Sequence, residues 1–295
     1  MAEISLIISV YNRPDALALI LLACERQSFQ DFEIIVADDG SGPGVAGVLE
    51  QADVKRFRAL RHVRQEDLGW RKNRILNSAV RIAESDYLVF IDGDCVPHHR
   101  FLEDHWRARA PRVLLCGRRV ELSEDWTRAF TPEQVRSGHY QRIGLKGWVD
   151  AARGSALRVE DGIRFPSRLI PRLLHKRDRG MLGSNFSLHG SDLWEVNGFD
   201  EEYKGPGCGE DSDLQYRLQL SGVQCRSLRH RAIQYHLWHP RTEPARSCIQ
   251  RLQEVRRRAE SRCTFGLADL TGEASTHRVS APAIDGREAG IRKST

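Results

Sequence analysis

The sequence predicts an α/β fold: a mostly parallel central sheet with helices on both of its faces. Two observations carry that expectation. The first is a set of buried-strand runs without polar alternation, ISLIISV (4–10), FEIIVAD (32–38) and DYLVFIDGD (86–94), separated by helical patterns. Strands that read as continuous apolar stretches are covered on both faces, as crossover helices would cover them. The second is that these runs end in polar groups, Tyr11-Asn12, Asp38-Asp39 and Asp92 with Asp94. Ligands of open α/β sheets collect at the carboxyl ends of the strands.

The elements follow in order. Pro14 and Asp15 open a helix with Leu17, Leu21 and Leu22 on one face. A helix near 44–57 and a short strand near 59–64 come next. WRKNRILNSAVRIAE (70–84) places Ile75, Ala79, Ile82 and Ala83 at helical spacing. Residues 118–180 are charged and show no clear period, so they are expected to form a long, partly irregular excursion over the sheet, either a functional lid or a disordered stretch. Order resumes at GSNFSL (183–188), followed by a helix at 190–197 and a turn at Asn197-Gly198. Glu210 to Leu220 reads as a helix stopped by Gly222, and RHRAIQYHLWH (229–239) as an edge strand ended by Pro240. An arginine-rich helix covers 245–262, and small polar residues from 264 onward predict weak order.

Composition narrows the class. The 295 residues are 40% hydrophobic and 29% charged, with a net charge of +5, which suits a water-soluble chain with a sizeable core. Nearly all the positive charge is arginine, but no stripe of basic and aromatic residues appears, so nucleic acid is not an expected partner. Seven scattered cysteines with no C-x-x-C spacing fit a reduced, cytoplasmic setting. The opening apolar run is too short for a signal peptide, and no run reaches the ~20 residues of a membrane span.

Four constellations carry chemistry. Asp92-Gly93-Asp94 sets two carboxylates at a strand end, which suits a divalent ion bridging to a diphosphate, although D-G is also ordinary turn chemistry. His236 and His239, in YHLWHP (235–240), are spaced so that both imidazoles could face one point, although each also reads as a satisfied histidine beside Trp238. With Asp94 they would form a mixed nitrogen and oxygen set that shifts preference from magnesium toward manganese. In GPGCGEDSDL (205–214) a glycine-rich lead precedes Glu210, Asp211 and Asp213, at the start of a helix. Such acids offset the helix dipole, and one of them could instead act as a general base on a hydroxyl. Finally, Ser9, Tyr11 and Asp39 would lie side by side at the switch point of the sheet, where Arg71 could face them, although singly each also reads as an N-cap, a turn or a solvated arginine. Tyr11 could stack on a base and Asp39 accept its imide N–H. No G-x-G-x-x-G follows the first strand, which disfavours the usual dinucleotide fold.

Together IISVYNRPD, QSFQDFEIIVADDGS, YLVFIDGDCVP, NGFDEEYKGPGCGEDSDL and HLWHP resemble the family 2 glycosyltransferases, inverting enzymes of the GT-A nucleotide-diphospho-sugar transferase fold. The second half resembles their galactosyltransferase-type arm. The resemblance implies a GT-A catalytic domain at 1–244, comprising a nucleotide-binding half (1–117), a variable acceptor-side insertion (118–180) and an acceptor and metal half (181–244). A C-terminal arginine-rich helix (245–263) and a weakly ordered tail (264–295) would follow. Ser9, Tyr11, Asp39, Arg71, Asp92 and Gly93 would hold a UDP-sugar. Asp94, His236 and His239 would hold Mn2+ or Mg2+, Asp211 would be the base, and Glu210 would hold a sugar. The implied reaction moves a hexose or N-acetylhexosamine to a hydroxyl of a saccharide or lipid-linked acceptor in polysaccharide synthesis. A lipid-linked acceptor would add peripheral contact with the inner face of a membrane. The alternative is a catalytically silent subunit that binds nucleotide or glycan. One departure stands out: many relatives carry arginine before the asparagine of the helix leading to the D-x-D strand, whereas here Leu76 precedes Asn77.

Overall fold

The computed structural model describes residues 1–165, 180–205, 209–240, 246–269 and 274–279. Its strands are β1 (Ile4–Val10), β2 (Phe32–Asp38), β3 (Leu60–Arg64), β4 (Tyr87–Asp92), β5 (Cys95–Pro97), β6 (Val113–Cys116), β7 (Arg118–Glu121), β8 (Asn185–His189), β9 (Gln224–Ser227), β10 (Ile233–His236) and β11 (Ser275–Arg278). Its α-helices are α1 (Pro14–Glu25), α2 (Pro43–Glu50), α3 (Lys72–Ile82), α4 (Phe101–Ala108), α5 (Glu124–Arg128), α6 (Pro132–Ser137), α7 (Leu145–Ala152), α8 (Gly190–Glu195), α9 (Glu210–Leu220) and α10 (Arg246–Arg258).

The main sheet has the order β11-β3-β2-β1-β4-β8-β6-β9. β3, β2, β1 and β4 run parallel, as do β6 and β9, while β8 is antiparallel to both its neighbours. Alternate residues of one strand serve opposite layers, because successive side chains point to opposite faces. Ile4, Leu6 and Ile8 pack with Leu17, Ile20 and Leu21 of α1, whereas Ile7 packs with Ile75, Leu76 and Ala79 of α3. This two-sided burial is why the strands lack polar alternation. The order in which strands are added reverses between β1 and β4, and Ser9 lies in register with both Ala37 and Asp92.

A second sheet, β5-β10-β7, begins where the main one ends. β10 was expected at an edge but lies in the middle, antiparallel to β5 and parallel to β7. Its buried Ile233, Gln234 and Tyr235 need a partner on each side. Register sets His236 opposite Cys95, next to Asp94, and Leu237 N–H donates to Asp94 O at 2.9 Å.

Three expectations change. The helix near 44–57 stops at Glu50, and Asp53 accepts from Lys55 N–H to start a separate 3-10 turn at Val54–Arg56. The excursion carries more order over 118–165 than its lack of a period suggested: between irregular stretches it holds β7 and three helices of five, six and eight residues, the first two capped by Ser123 and Thr131. Helices this short show too few turns for a period to be legible. The rest of that excursion (166–179) lies outside the described residues, as do 206–208 of the glycine-rich lead and 270–273 and 280–295 of the tail.

The expectation of weak order from 264 does not hold for 264–269 or for β11. Leu267 is fully buried, and its N–H donates to Asn197 O at 2.9 Å. It packs against the Asn197-Gly198 turn, where both residues have positive φ, and β11 pairs with β3. Leu267→Ala is expected to lower the unfolding free energy by about 2–4 kcal/mol in a denaturant titration. A change below about 0.5 kcal/mol, ordinary for surface sites, would refute this packing role.

Candidate active site

The carboxyl ends of β1 and β4 form the floor of the site. Ser9 Oγ donates to Asp92 Oδ1 at 2.9 Å, and Lys72 Nζ, from the first turn of α3, donates to the same oxygen at 2.5 Å. Between the two acids, Gly93 N–H donates to Ser9 O at 2.6 Å, and a Cβ on Gly93 would lie 2.7 Å from that oxygen. The backbone approach therefore excludes any larger residue there. Burial disfavours the Lys72 ammonium, but Asp92, Asp211 and Glu210 together hold it charged, well above the usual lysine range. Sequence reasoning missed Lys72. The available signal was the basic residue before Asn73, one helical turn earlier than the Leu76-Asn77 position where a cation was sought.

Asp94 lies at the junction of the two sheets. Its Oδ2 is 3.4 Å from His236 Nε2 and 3.2 Å from His239 Nε2, and the two rings are 5.1 Å apart. Burial alone would raise its pKa, but the two imidazoles and the charge of Arg119 hold the carboxyl well below its ordinary range. Asp94 in turn raises the pKa of His239 through their hydrogen bond. The structure thus brings all three residues expected to share a metal to one point. One carboxylate and two imidazoles are a donor set that fits manganese. Arg119, from β7, is a second cation that sequence reasoning missed. It faces Cys95, Asp92, Asp94 and Glu121, and its buried Nε has no hydrogen-bond partner among the described residues.

The acids of α9 divide by role. Asp213 turns inward and pairs with Arg217 at 2.7 Å, and both side chains are about 2% exposed or less, so that pair belongs to the core. Glu210 and Asp211 face Lys72. Asp211 Oδ2 accepts from Gly183 N–H at 2.8 Å. A Cβ at Gly183 would lie 2.1 Å from Asp211 Oδ1, so the carboxylate occupies space that only glycine leaves. Burial first, then Glu210 and Asp92, push the Asp211 pKa up to about 7, against the pull of Lys72 and the Gly183 N–H. Gly209 stands at the N-cap just before the helix, and its φ of +98° explains the glycine before the acids.

At the β2 end, Asp39 is buried and accepts from Gln65 Nε2 at 2.5 Å and from the backbone N–H of Arg71 at 2.9 Å. Burial, then the Asp67 charge, outweigh these bonds and raise its pKa. Arg71 thus meets Asp39 through its backbone, while its guanidinium donates to Glu66 O. The Nε of Arg71 and the Oε1 of Gln65 are buried without hydrogen-bond partners among the described residues. Orphaned polar atoms on both sides of Asp39 are what a polar ligand would satisfy. Tyr11 is half exposed, and its hydroxyl donates to Asp67 Oδ2 at 3.2 Å, leaving a ring face open above this edge.

Comparison with known proteins identifies the family and the fold. Residues 5–159 match the model for glycosyl transferase family 2, and residues 174–240 match that described as the N-terminal domain of galactosyltransferase. Relatives include the chondroitin synthase of Escherichia coli, 28% identical over 249 residues, which are 81% of this chain and 35% of that protein. The hyaluronan synthase of Pasteurella multocida is 34% identical over 229 residues, 73% of this chain and 22% of that protein. The validoxylamine A glucosyltransferase of Streptomyces hygroscopicus subsp. jinggangensis is 29% identical over 234 residues, 75% of this chain and 52% of that protein. The chain therefore spans between about a fifth and a half of the length of these relatives. Among solved structures, S. aureus TarS superposes with a TM-score of 0.57 at 16% identity, over 91% of this chain and 41% of that one. The mannosyltransferase PcManGT of Pyrobaculum calidifontis, in complex with GDP-Man and Mn2+, gives 0.53 at 18%, over 81% of this chain and 58% of that one. The fold is of the GT-A type, and the chain belongs to glycosyl transferase family 2.

Proposed function

We propose that the chain is an inverting, metal-dependent hexosyltransferase acting in cell-surface polysaccharide synthesis. It moves a hexose or N-acetylhexosamine from a UDP-sugar to a hydroxyl of a saccharide or lipid-linked acceptor. The observation that carries this reading is the convergence of Asp94, His236 and His239 beside Asp92, which Lys72 links to Asp211 and Glu210. Relatives named as chondroitin and hyaluronan synthases support the polysaccharide, and TarS complexes with UDP and with UDP-GlcNAc support the donor.

In this reading Tyr11 stacks on the base, Asp39 and Arg71 meet its polar edge, and Ser9, Asp92 and Gly93 line the ribose and sugar. Asp94, His236 and His239 hold Mn2+ or Mg2+. Once bound, the ion offsets the charge that the departing diphosphate gains. Lys72 keeps a positive charge between Asp92 and Asp211, which lets both acids share one cleft. Glu210 holds a sugar hydroxyl. Asp211 takes the proton of the acceptor hydroxyl while that oxygen bonds to the anomeric carbon. The bond from this carbon to UDP breaks on the opposite face, through an oxocarbenium-like state. Trp238 N–H is held by Thr127 Oγ1 at 2.8 Å, which ties the 118–165 segment to the histidine loop and suits that segment to the acceptor side.

No helix among the described residues is long and apolar enough to cross a membrane. A lipid-linked acceptor would be met by a cytoplasmic chain held peripherally at the inner face through Arg256 and Arg257, both exposed on α10. Arg251 of the same helix is committed to Asp200 and Glu202. Co-sedimentation with vesicles rich in phosphatidylglycerol is expected at low salt and lost at high salt; no pelleting at low salt would remove the membrane contact.

Two further outcomes test the reaction. In a donor screen with manganese, a UDP-sugar should raise the melting temperature and release UDP on turnover, and Asp94→Ala should cut turnover at least about 100-fold. An Asp94→Ala variant as active as the parent would overturn the proposal. A base must be ionised to act, so kcat/KM should rise with pH and level off above the Asp211 value of about 7. Asp211→Asn should lower kcat about 100- to 10,000-fold and abolish this limb. The stability sign is the reverse. A carboxyl whose folded pKa is raised binds more protons folded than unfolded, so its contribution is lost as pH rises through the folded value. Asp211→Asn keeps an acceptor for Gly183 N–H, so it should melt higher than the parent at pH 8, with the gap shrinking toward pH 5. A variant less stable than the parent at pH 8 would contradict the assigned burial.

A further inference from the structure

Cys95 is fully buried at the start of β5, yet it is not part of the apolar clusters that enclose Cys24, Cys116 and Cys248. Its surroundings are polar: Asp94 and Arg119 both face it. Its thiol points at Asp94, with Sγ 3.2 Å from Oδ1. In the antiparallel β5–β10 pair it lies directly opposite His236, and opposed residues share one face of a sheet. A sulfur, a carboxylate oxygen and an imidazole nitrogen from Cys95, Asp94 and His236 all lie within 4.8 Å of one another. His239 Nε2 adds a fourth donor, 3.2 Å from Asp94 Oδ2. The sulfur lies against one oxygen of Asp94 at 3.2 Å and the two imidazole nitrogens against the other at 3.2–3.4 Å, so the carboxylate joins all three side chains.

We propose that Cys95 is a fourth ligand of this centre, so that thiophilic divalent ions such as zinc or cobalt bind through Asp94, Cys95, His236 and His239. The inference rests on the reading that Asp94 and the two histidines hold an ion, and it adds the sulfur. Manganese, a weaker partner for sulfur, is held by the oxygen and nitrogen donors alone. As the sulfur–metal bond forms, the thiol proton passes to solvent and no electron changes hands. Four protein ligands fill the shell of a tetrahedral ion and leave no open position for a diphosphate. Zinc should therefore bind more tightly than manganese and displace it without supporting donor binding.

The test is a cobalt titration of the metal-free full chain, followed by absorption. The parent should show visible d–d bands together with a near-ultraviolet thiolate-to-cobalt charge-transfer band. Cys95→Ser and Cys95→Ala should keep d–d bands but lose the charge-transfer band, and zinc affinity should fall about 100-fold or more, far beyond any loss for manganese. X-ray absorption of the zinc-loaded parent, which needs no variant, should give one sulfur at about 2.3 Å. Cobalt d–d bands without the charge-transfer band in the parent, or the same band in both variants, would exclude Cys95 while leaving the three-ligand centre standing. Cobalt binding equal in Asp94→Ala and the parent, or no binding at all, would overturn both.

Discussion

Asp92, Glu210 and Asp211 crowd around Lys72, with Asp94 one residue beyond Gly93 and Asp92, so like charges repel at the carboxyl edge of the sheet. The arrangement of the site follows from how that repulsion is relieved. Lys72 takes Asp92 directly and stands between it and the α9 acids. Arg119 and the two imidazoles take Asp94. At Asp211, burial, then Glu210 and Asp92, push the pKa up to about 7 despite Lys72. A carboxyl that titrates near neutrality beside a cation is poised to exchange a proton, and it destabilises the fold while it does so.

Close backbone contact supplies the precision. Gly93 lies so near Ser9 O, and Gly183 so near Asp211, that a methyl group at either position would collide. Both glycines belong to the packing of the acids rather than to loop flexibility. Behind them, Asn77 accepts from Phe199 N–H at 2.9 Å and donates to Phe199 O at 2.8 Å, clamping the segment that leads to α9 onto α3. The helix that carries Lys72 therefore also anchors the chain that delivers Asp211. The buried Asp213–Arg217 pair and the bond from Arg217 to Val196 O fix α9 from its inner side.

The small β5-β10-β7 sheet performs the equivalent task for the histidines. β5 continues from the D-x-D turn, β10 pairs with it, and β7 brings Arg119 to the other side of β10. A one-residue slip of β10 would turn His236 away from Asp94, because side chains alternate across a strand. Its fully buried Gln234 donates to Ser184 O at 2.7 Å and helps hold that register.

The sequence by itself determined the parallel strands, their polar ends, the limits of α9 and the identity of most acids at the site. Those features are local: a buried strand shows as an apolar run, and a helix start as glycine followed by acids. Only the tertiary structure decided what neutralises the acids. Lys72, Arg119 and Cys95 look like ordinary surface or core residues in the chain, and nothing in local periodicity reports which carboxylate each will meet. It also decided that β10 is central, and that Leu267 and β11 belong to the fold. Pairing between segments distant in the chain is set by strand register and by surfaces that exist only once the sheet has formed.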